Sequence, residues 1–197
     1  MFRLHSGPPP SNTSDLEFMQ NSNDWRPLRE PSMQTYTILS TVVAAVAVGC
    51  AIAVVKAVTG NYPSLTPTSW WDVLGVAAML VIHEFLHLLA HPQLGGSRLS
   101  ILGIWPKAGV AYAQYLGEMT VRRFLLILVA PVFVLSFVPI VASLFGVLKV
   151  DEWPIRYALW NLLFSAGDLI GIGLLLRDSQ ISQTVKNLGW QTWVRDK

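Results

Sequence analysis

Long apolar runs are the feature that most constrains the fold of this chain. About 20 predominantly apolar residues are needed for a helix to cross a bilayer. Runs of this length cover residues 38–58, 70–90, 124–148 and 156–176 of the 197-residue sequence. Pro131 and Pro139 lie in the third run, but neighbouring helices can satisfy the carbonyls that a proline frees in lipid. The pattern predicts an all-α integral membrane protein with four transmembrane helices.

The composition agrees with a membrane protein, and it argues against a nucleic-acid partner and against a metal site built from cysteines. Only 13% of the residues are charged, against roughly 25% in an average soluble domain. A net charge of +2 argues against a nucleic-acid partner, because such proteins carry a dense basic face. Cys50 is the single cysteine, so a metal site built within the chain must use His, Asp or Glu.

The two ends of the chain differ from the apolar region at 35–178. Residues 1–34 are rich in Gly, Pro, Ser and Asn and are predicted to form a flexible cytoplasmic tail, since they offer little apolar surface to bury. Residues 179–197 carry Trp190 and Trp193 and are interpreted as a cytoplasmic or interfacial segment containing a short helix.

The segment between the second and third runs is predicted to contain strands. Residues 97–120 hold Gly103, Pro106 and Gly109 among short β-prone stretches. Turn residues flanked by such stretches are typical of a hairpin. The alternative is an ordinary loop.

The basic residues indicate the orientation in a cell membrane. With a cytoplasmic N-terminus, eleven of the fourteen Lys and Arg residues face the cytoplasm, as the positive-inside rule requires. These eleven are Arg3, Arg26, Arg29, Arg98, Lys107, Arg122, Arg123, Arg177, Lys186, Arg195 and Lys197. We therefore expect a multi-pass protein with both termini cytoplasmic, in which the second and fourth spans run inward.

The second run contains the sequence His83-Glu84-Phe85-Leu86-His87. Two histidines at i and i+4 share a helix face and can bind one zinc ion, and the intervening glutamate serves as the general base. A carboxylate at this depth costs roughly 2.5 to 3.5 kcal/mol on insertion scales, which favours a functional role for Glu84. The alternative is a polar cluster that only fastens helices together.

Asp168 is the preferred candidate for the third protein ligand. It is the only carboxylate within another of the apolar runs, and helical rise places it about as deep as His83. Asn161, Ser165 and Asp168 recur at helical spacing, so one face should carry the ligand and two residues that hold substrate or support the ligands. We expect Gly167 to let this helix approach the second span closely.

Two other residues lie near enough in the sequence to be considered as ligands. Glu118, in the segment between the spans, is the alternative third ligand if that segment folds back. His91 follows His87 by one further turn and is interpreted as a supporting or interfacial residue.

These residues resemble the family of short bacterial membrane proteins described as putative zincin peptidases, whose pattern is similar to that of site-2 intramembrane proteases. The resemblance covers roughly residues 35–178. It includes the His83–His87 motif, the Gly- and Pro-broken segment after it, and the cluster of Asn161, Ser165 and Gly167-Asp168 in a late span. Site-2 proteases have the glycine after the aspartate, whereas here it comes before. The resemblance implies a membrane-embedded zinc metallopeptidase whose broken segment presents the substrate as an added strand.

The sequence therefore predicts an enzyme that hydrolyses peptide bonds near the cytoplasmic membrane face, acting on a peptide or a membrane protein. Glu84 is the predicted catalytic base, and His83, His87 and Asp168 are the predicted Zn²⁺ ligands. Two alternatives remain, a metal carrier and a catalytically inactive membrane adaptor.

Overall fold

The computed structural model describes residues 1–196. The α-helices in these residues are α1 (Thr13–Asn21), α2 (Met33–Thr59), α3 (Trp70–Ala90), α4 (Val121–Pro131), α5 (Val138–Leu144), α6 (Trp153–Phe164) and α7 (Ala166–Asp178). Its strands are β1 (Arg3–Ser6), β2 (Trp25–Pro27), β3 (Ser100–Trp105), β4 (Val110–Tyr115), β5 (Met119–Thr120), β6 (Thr184–Leu188) and β7 (Gln191–Arg195). A π-helix over Val132–Phe137 joins α4 to α5.

Three helical stretches are long and apolar enough to cross a membrane: Met33–Thr59, Trp70–Ala90 and Val121–Leu144. The α2 helix begins where the Ser32 hydroxyl accepts a hydrogen bond from the Thr35 amide, and it ends at Gly60, whose left-handed backbone favours glycine. The predicted fourth span is not one straight helix. It is broken at Ser165 into α6 and α7, which are bent by 53°.

The chain divides into two compact units. The first comprises Met1–Glu30, Glu84–Leu128 and Gly171–Lys197, and the second comprises Pro31–His83 and Val129–Ile170. In the second unit, Val48 of α2 packs with Leu159 and Leu162 of α6 in a buried apolar cluster. Arg156 of α6 also forms a 2.9 Å ion pair with Asp72 in the first turn of α3.

The first unit contains two sheets, so the all-α prediction is wrong. One sheet has the order β1-β3-β4, in which β1 runs parallel to β3 and β3 is antiparallel to β4. The predicted hairpin between the second and third spans is thus confirmed as β3 and β4. The other sheet has the order β2-β7-β6-β5 and is antiparallel throughout.

The ends of the chain differ from the sequence expectation because they pair with each other. Residues 1–34, expected to lack order, contribute β1, α1 and β2, and Met19 and Trp25 are buried against Leu188 and Trp193. The helix expected after residue 178 is replaced by the β6–β7 hairpin, which turns at Gly189 with a positive φ. Apolar residues that are sparse in each segment form one core when the two segments combine.

Candidate metal centre

Helix α3 carries the two histidines one turn apart. His83 and His87 are 4% and 6% exposed, and the i, i+4 spacing puts them on one face. Glu84, beside this pair, is partly buried.

Asp168 is brought to the histidines by the break between α6 and α7. Helix α7 starts at Ala166, so Asp168 lies in its first turn, where the helix dipole favours a carboxylate. Its Oδ2 atom is 3.2 Å from His83 Nε2. One ligand atom from each of His83, His87 and Asp168 lies within 4.8 Å of the other two. The structure thus brings together the three residues that were predicted to be ligands.

The orientation of the His87 ring is determined by a backbone carbonyl. His87 Nδ1 is 2.8 Å from the Ile127 carbonyl oxygen in a buried contact. A carbonyl can only accept, so Nδ1 carries a proton and donates it to this hydrogen bond. When the ring is neutral, the lone pair is on Nε2, which can then bind a metal.

The side-chain amide of Asn161 orients the His83 ring, also through a hydrogen bond at Nδ1. The Asn161 amide nitrogen donates to the Pro131 carbonyl at 3.2 Å and to the Ser136 hydroxyl at 2.8 Å. Because the Pro131 carbonyl can only accept, the atom facing it is the nitrogen, and Asn161 Oδ1 faces His83 Nδ1 at 2.8 Å. Nδ1 of His83 therefore donates, and its Nε2 faces Asp168.

The other residues singled out from the sequence have different surroundings. Ser165 is fully buried, and its hydroxyl is 3.3 Å from the Asn161 amide nitrogen. Glu118, the alternative ligand, pairs instead with Arg195 at 2.7 Å, and both side chains are more than 40% exposed.

His91 is 1% exposed, and its carbonyl accepts a 2.7 Å hydrogen bond from Arg123. Burial, and to a lesser extent the nearby positive charge of Arg123, lowers the pKa of His91 to about 4. The ring is therefore neutral at physiological pH.

Gly167 was expected to let its helix approach the second span, but its close neighbour is Tyr36 of α2. A Cβ at this position would lie 3.0 Å from the Tyr36 hydroxyl, and that hydroxyl donates to the Gly167 carbonyl at 3.3 Å. The small residue therefore accommodates Tyr36 of α2 rather than α3.

Sequence reasoning also missed the roles of Ile127, Pro131 and Ser136. The sequence signal for them is a proline within an apolar span, which frees a carbonyl for a partner on a neighbouring helix.

Two buried imidazoles and one largely buried carboxylate form a ligand set that is typical of a catalytic zinc site. Zinc in catalytic sites takes three such protein ligands and keeps a fourth position open, so the donor set fits this metal. In each histidine the Nδ1–H also donates a hydrogen bond to an oxygen, as the second ring nitrogen of a metal-bound histidine almost always does.

Comparison with known proteins agrees with this class. The chain belongs to a family described as putative zincin peptidase, whose model matches residues 76–182, just over half of the sequence. The matched region includes His83, Glu84, His87, Asn161 and Asp168. No curated protein and no solved structure matches the chain.

Proposed function

We propose that the protein is a membrane-embedded zinc metallopeptidase that hydrolyses peptide bonds near the cytoplasmic face. The observation that carries this proposal is the convergence of His83, His87 and Asp168 within 4.8 Å, in a chain whose family is described by this activity. Zinc held there would polarise the scissile carbonyl and lower the pKa of a bound water toward 7.

The protein's own residues would handle the proton and hold the ligands. Glu84 is adjacent to His83 in α3, and its carboxylate would take one proton from the attacking water. The water oxygen bonds to the carbonyl carbon, the C–N bond breaks, and Glu84 returns the proton to the departing amine. Asn161 would hold the His83 ring in position through its 2.8 Å contact.

The β3–β4 hairpin suggests how the substrate is held. β4 is an edge strand of its sheet, and an extended peptide can add to such an edge through main-chain hydrogen bonds. Peptide substrates that are unfolded near the membrane would fit this mode.

The charge distribution supports a cytoplasmic location for the segment between α3 and α4 and for the two ends of the chain. Ten of the eleven basic residues assigned to the cytoplasm lie in these segments or in the adjoining helix ends, while Lys56, Lys149 and Arg156 lie near the other ends of the apolar helices. The eleventh, Lys197, lies outside the described residues. Both termini would therefore be cytoplasmic.

The first prediction separates metal binding from chemistry. Glu84→Gln should keep bound zinc and reduce peptide cleavage by at least 100-fold, because an amide cannot accept the proton and general-base catalysis contributes about 10² to 10⁴. Metal analysis of the purified protein and a peptide-cleavage assay measure the two effects.

His83→Ala is the matched control and should lose both metal and activity. Cleavage at the wild-type rate by Glu84→Gln would contradict the mechanism. Transport of metal across vesicles by the wild type, without cleavage, would instead indicate the carrier alternative.

A further inference from the structure

Pro131 lies at the end of α4, is less than 2% exposed, and is connected to both histidines. In a helix the amide of residue 131 would bond the carbonyl of residue 127, four positions earlier. Proline has no N–H, so this bond cannot form. The Ile127 carbonyl instead accepts from His87 Nδ1 at 2.8 Å.

The carbonyl of Pro131 itself serves the other histidine. It accepts from the Asn161 amide at 3.2 Å, and Asn161 Oδ1 accepts from His83 Nδ1. Asn161 is fully buried, so water cannot replace these partners.

The π-helix that follows Pro131 supplies a second anchor for Asn161. Ser136 lies in this π-helix, and its hydroxyl donates to the Ala158 carbonyl at 2.9 Å while accepting from Asn161 at 2.8 Å. Short π-helical stretches occur frequently at functional sites. Here the π-helix holds the amide in the orientation that His83 requires.

We propose that Pro131 is a positioning residue of the metal centre, which orients both histidines and selects the tautomer that presents Nε2. Because Pro131 has no N–H, the Ile127 carbonyl is available to accept a hydrogen bond from His87. The Pro131 carbonyl accepts from Asn161 and so orients the amide oxygen that accepts from His83. This inference rests on the metal-binding part of the proposed function and not on peptidase activity.

Pro131→Ala tests this role because alanine restores the amide N–H that competes for the Ile127 carbonyl. We expect zinc affinity to fall 10- to 100-fold, the loss typical of removing an outer partner of a metal ligand. The visible spectrum of the Co²⁺-substituted protein should change as well, which a general loss of stability would not cause in the folded fraction.

Two matched variants isolate the missing N–H. Pro139→Ala removes the other proline of the same span, in α5, and should leave zinc affinity and the Co²⁺ spectrum unchanged. Lactic acid in place of Pro131 has the side chain of alanine but no N–H, so it should retain near-wild-type affinity. Equal affinity and spectra for Pro131→Ala and the wild type would overturn the proposal.

The metal-free wild type provides a test that needs no variant and no zinc. Nitrogen-15 NMR of the histidine rings should show His83 and His87 protonated at Nδ1. A His87 ring that carries no proton on Nδ1 would overturn the proposal even if Pro131→Ala failed to fold. Absence of zinc binding by the wild type would contradict the proposed function, while the tautomer measurement would still decide the role of Pro131.

Discussion

At the scale of single residues, the two candidate third ligands have contrasting surroundings. The Asp168 side chain is 13% exposed and faces His83 in the first turn of α7, whereas Glu118 is exposed and bound to Arg195. Asp168→Asn should therefore weaken zinc binding by at least the 10- to 100-fold seen even for outer-partner losses. Competition with a zinc-selective chelator measures this change.

Glu118→Gln is the control for this prediction. It removes an ion pair at the surface, which contributes about 0 to 1 kcal/mol, and should leave zinc affinity at the wild-type value. Loss of zinc in Glu118→Gln together with retention in Asp168→Asn would transfer the ligand role to Glu118.

At the scale of elements, the packing of the N-terminal segment on the C-terminal hairpin can be tested at Trp25. Trp25 is 6% exposed and contacts the cluster of Met19, Leu188 and Trp193. Trp25→Ala should reduce the free energy of opening of the β7 amides by about 3 to 5 kcal/mol, the usual cost of truncating a buried aromatic side chain. Hydrogen–deuterium exchange of β7 reports this free energy.

Phe18 provides the control on the same segment, because it is 64% exposed. Phe18→Ala should change the opening free energy by no more than about 0.5 kcal/mol. If both variants exchanged like the wild type, residues 1–30 would not be packed as the structure shows.

At the scale of the whole molecule, the proposed orientation predicts which residues reagents reach from each side. Single cysteines replacing Ser14 and Ser182, both exposed and in the first unit, should be labelled only from the cytoplasmic side. The background for this experiment is Cys50→Ala, since Cys50 is a free, exposed thiol. Membrane-impermeant maleimides applied to intact cells and to inverted vesicles make the measurement.

Ser64 is the opposite-side control for labelling. It is exposed and lies between the spans α2 and α3, so a cysteine there should react from outside. Labelling of the Ser14 or Ser182 position in intact cells would show that the orientation is wrong.

Features that depend on neighbouring residues were predictable from the sequence. Apolar length predicted the helices around α2, α3 and α4–α5, and the i, i+4 spacing of His83 and His87 predicted a shared face. Turn residues at Pro106 and Gly109 predicted the hairpin, because local backbone preferences determine turns. Asp168 was predicted to approach His83 from equal depth in two spans, and the 3.2 Å separation agrees with that approach.

Features that depend on residues far apart in the chain required the tertiary structure. The pairing of β1 with β3 and of β2 with β7 joins segments about a hundred residues or more apart, and neither segment buries enough apolar surface alone to indicate an ordered strand. The bend at Ser165 and the hydrogen bonds to the Ile127 and Pro131 carbonyls also leave no periodic signal in the sequence.

The sequence by itself determined the apolar helices and the metal-binding residue types, because these are local properties. Only the tertiary structure decided the two sheets and the partners that orient the histidines, because the hydrogen bonds involved form between distant segments.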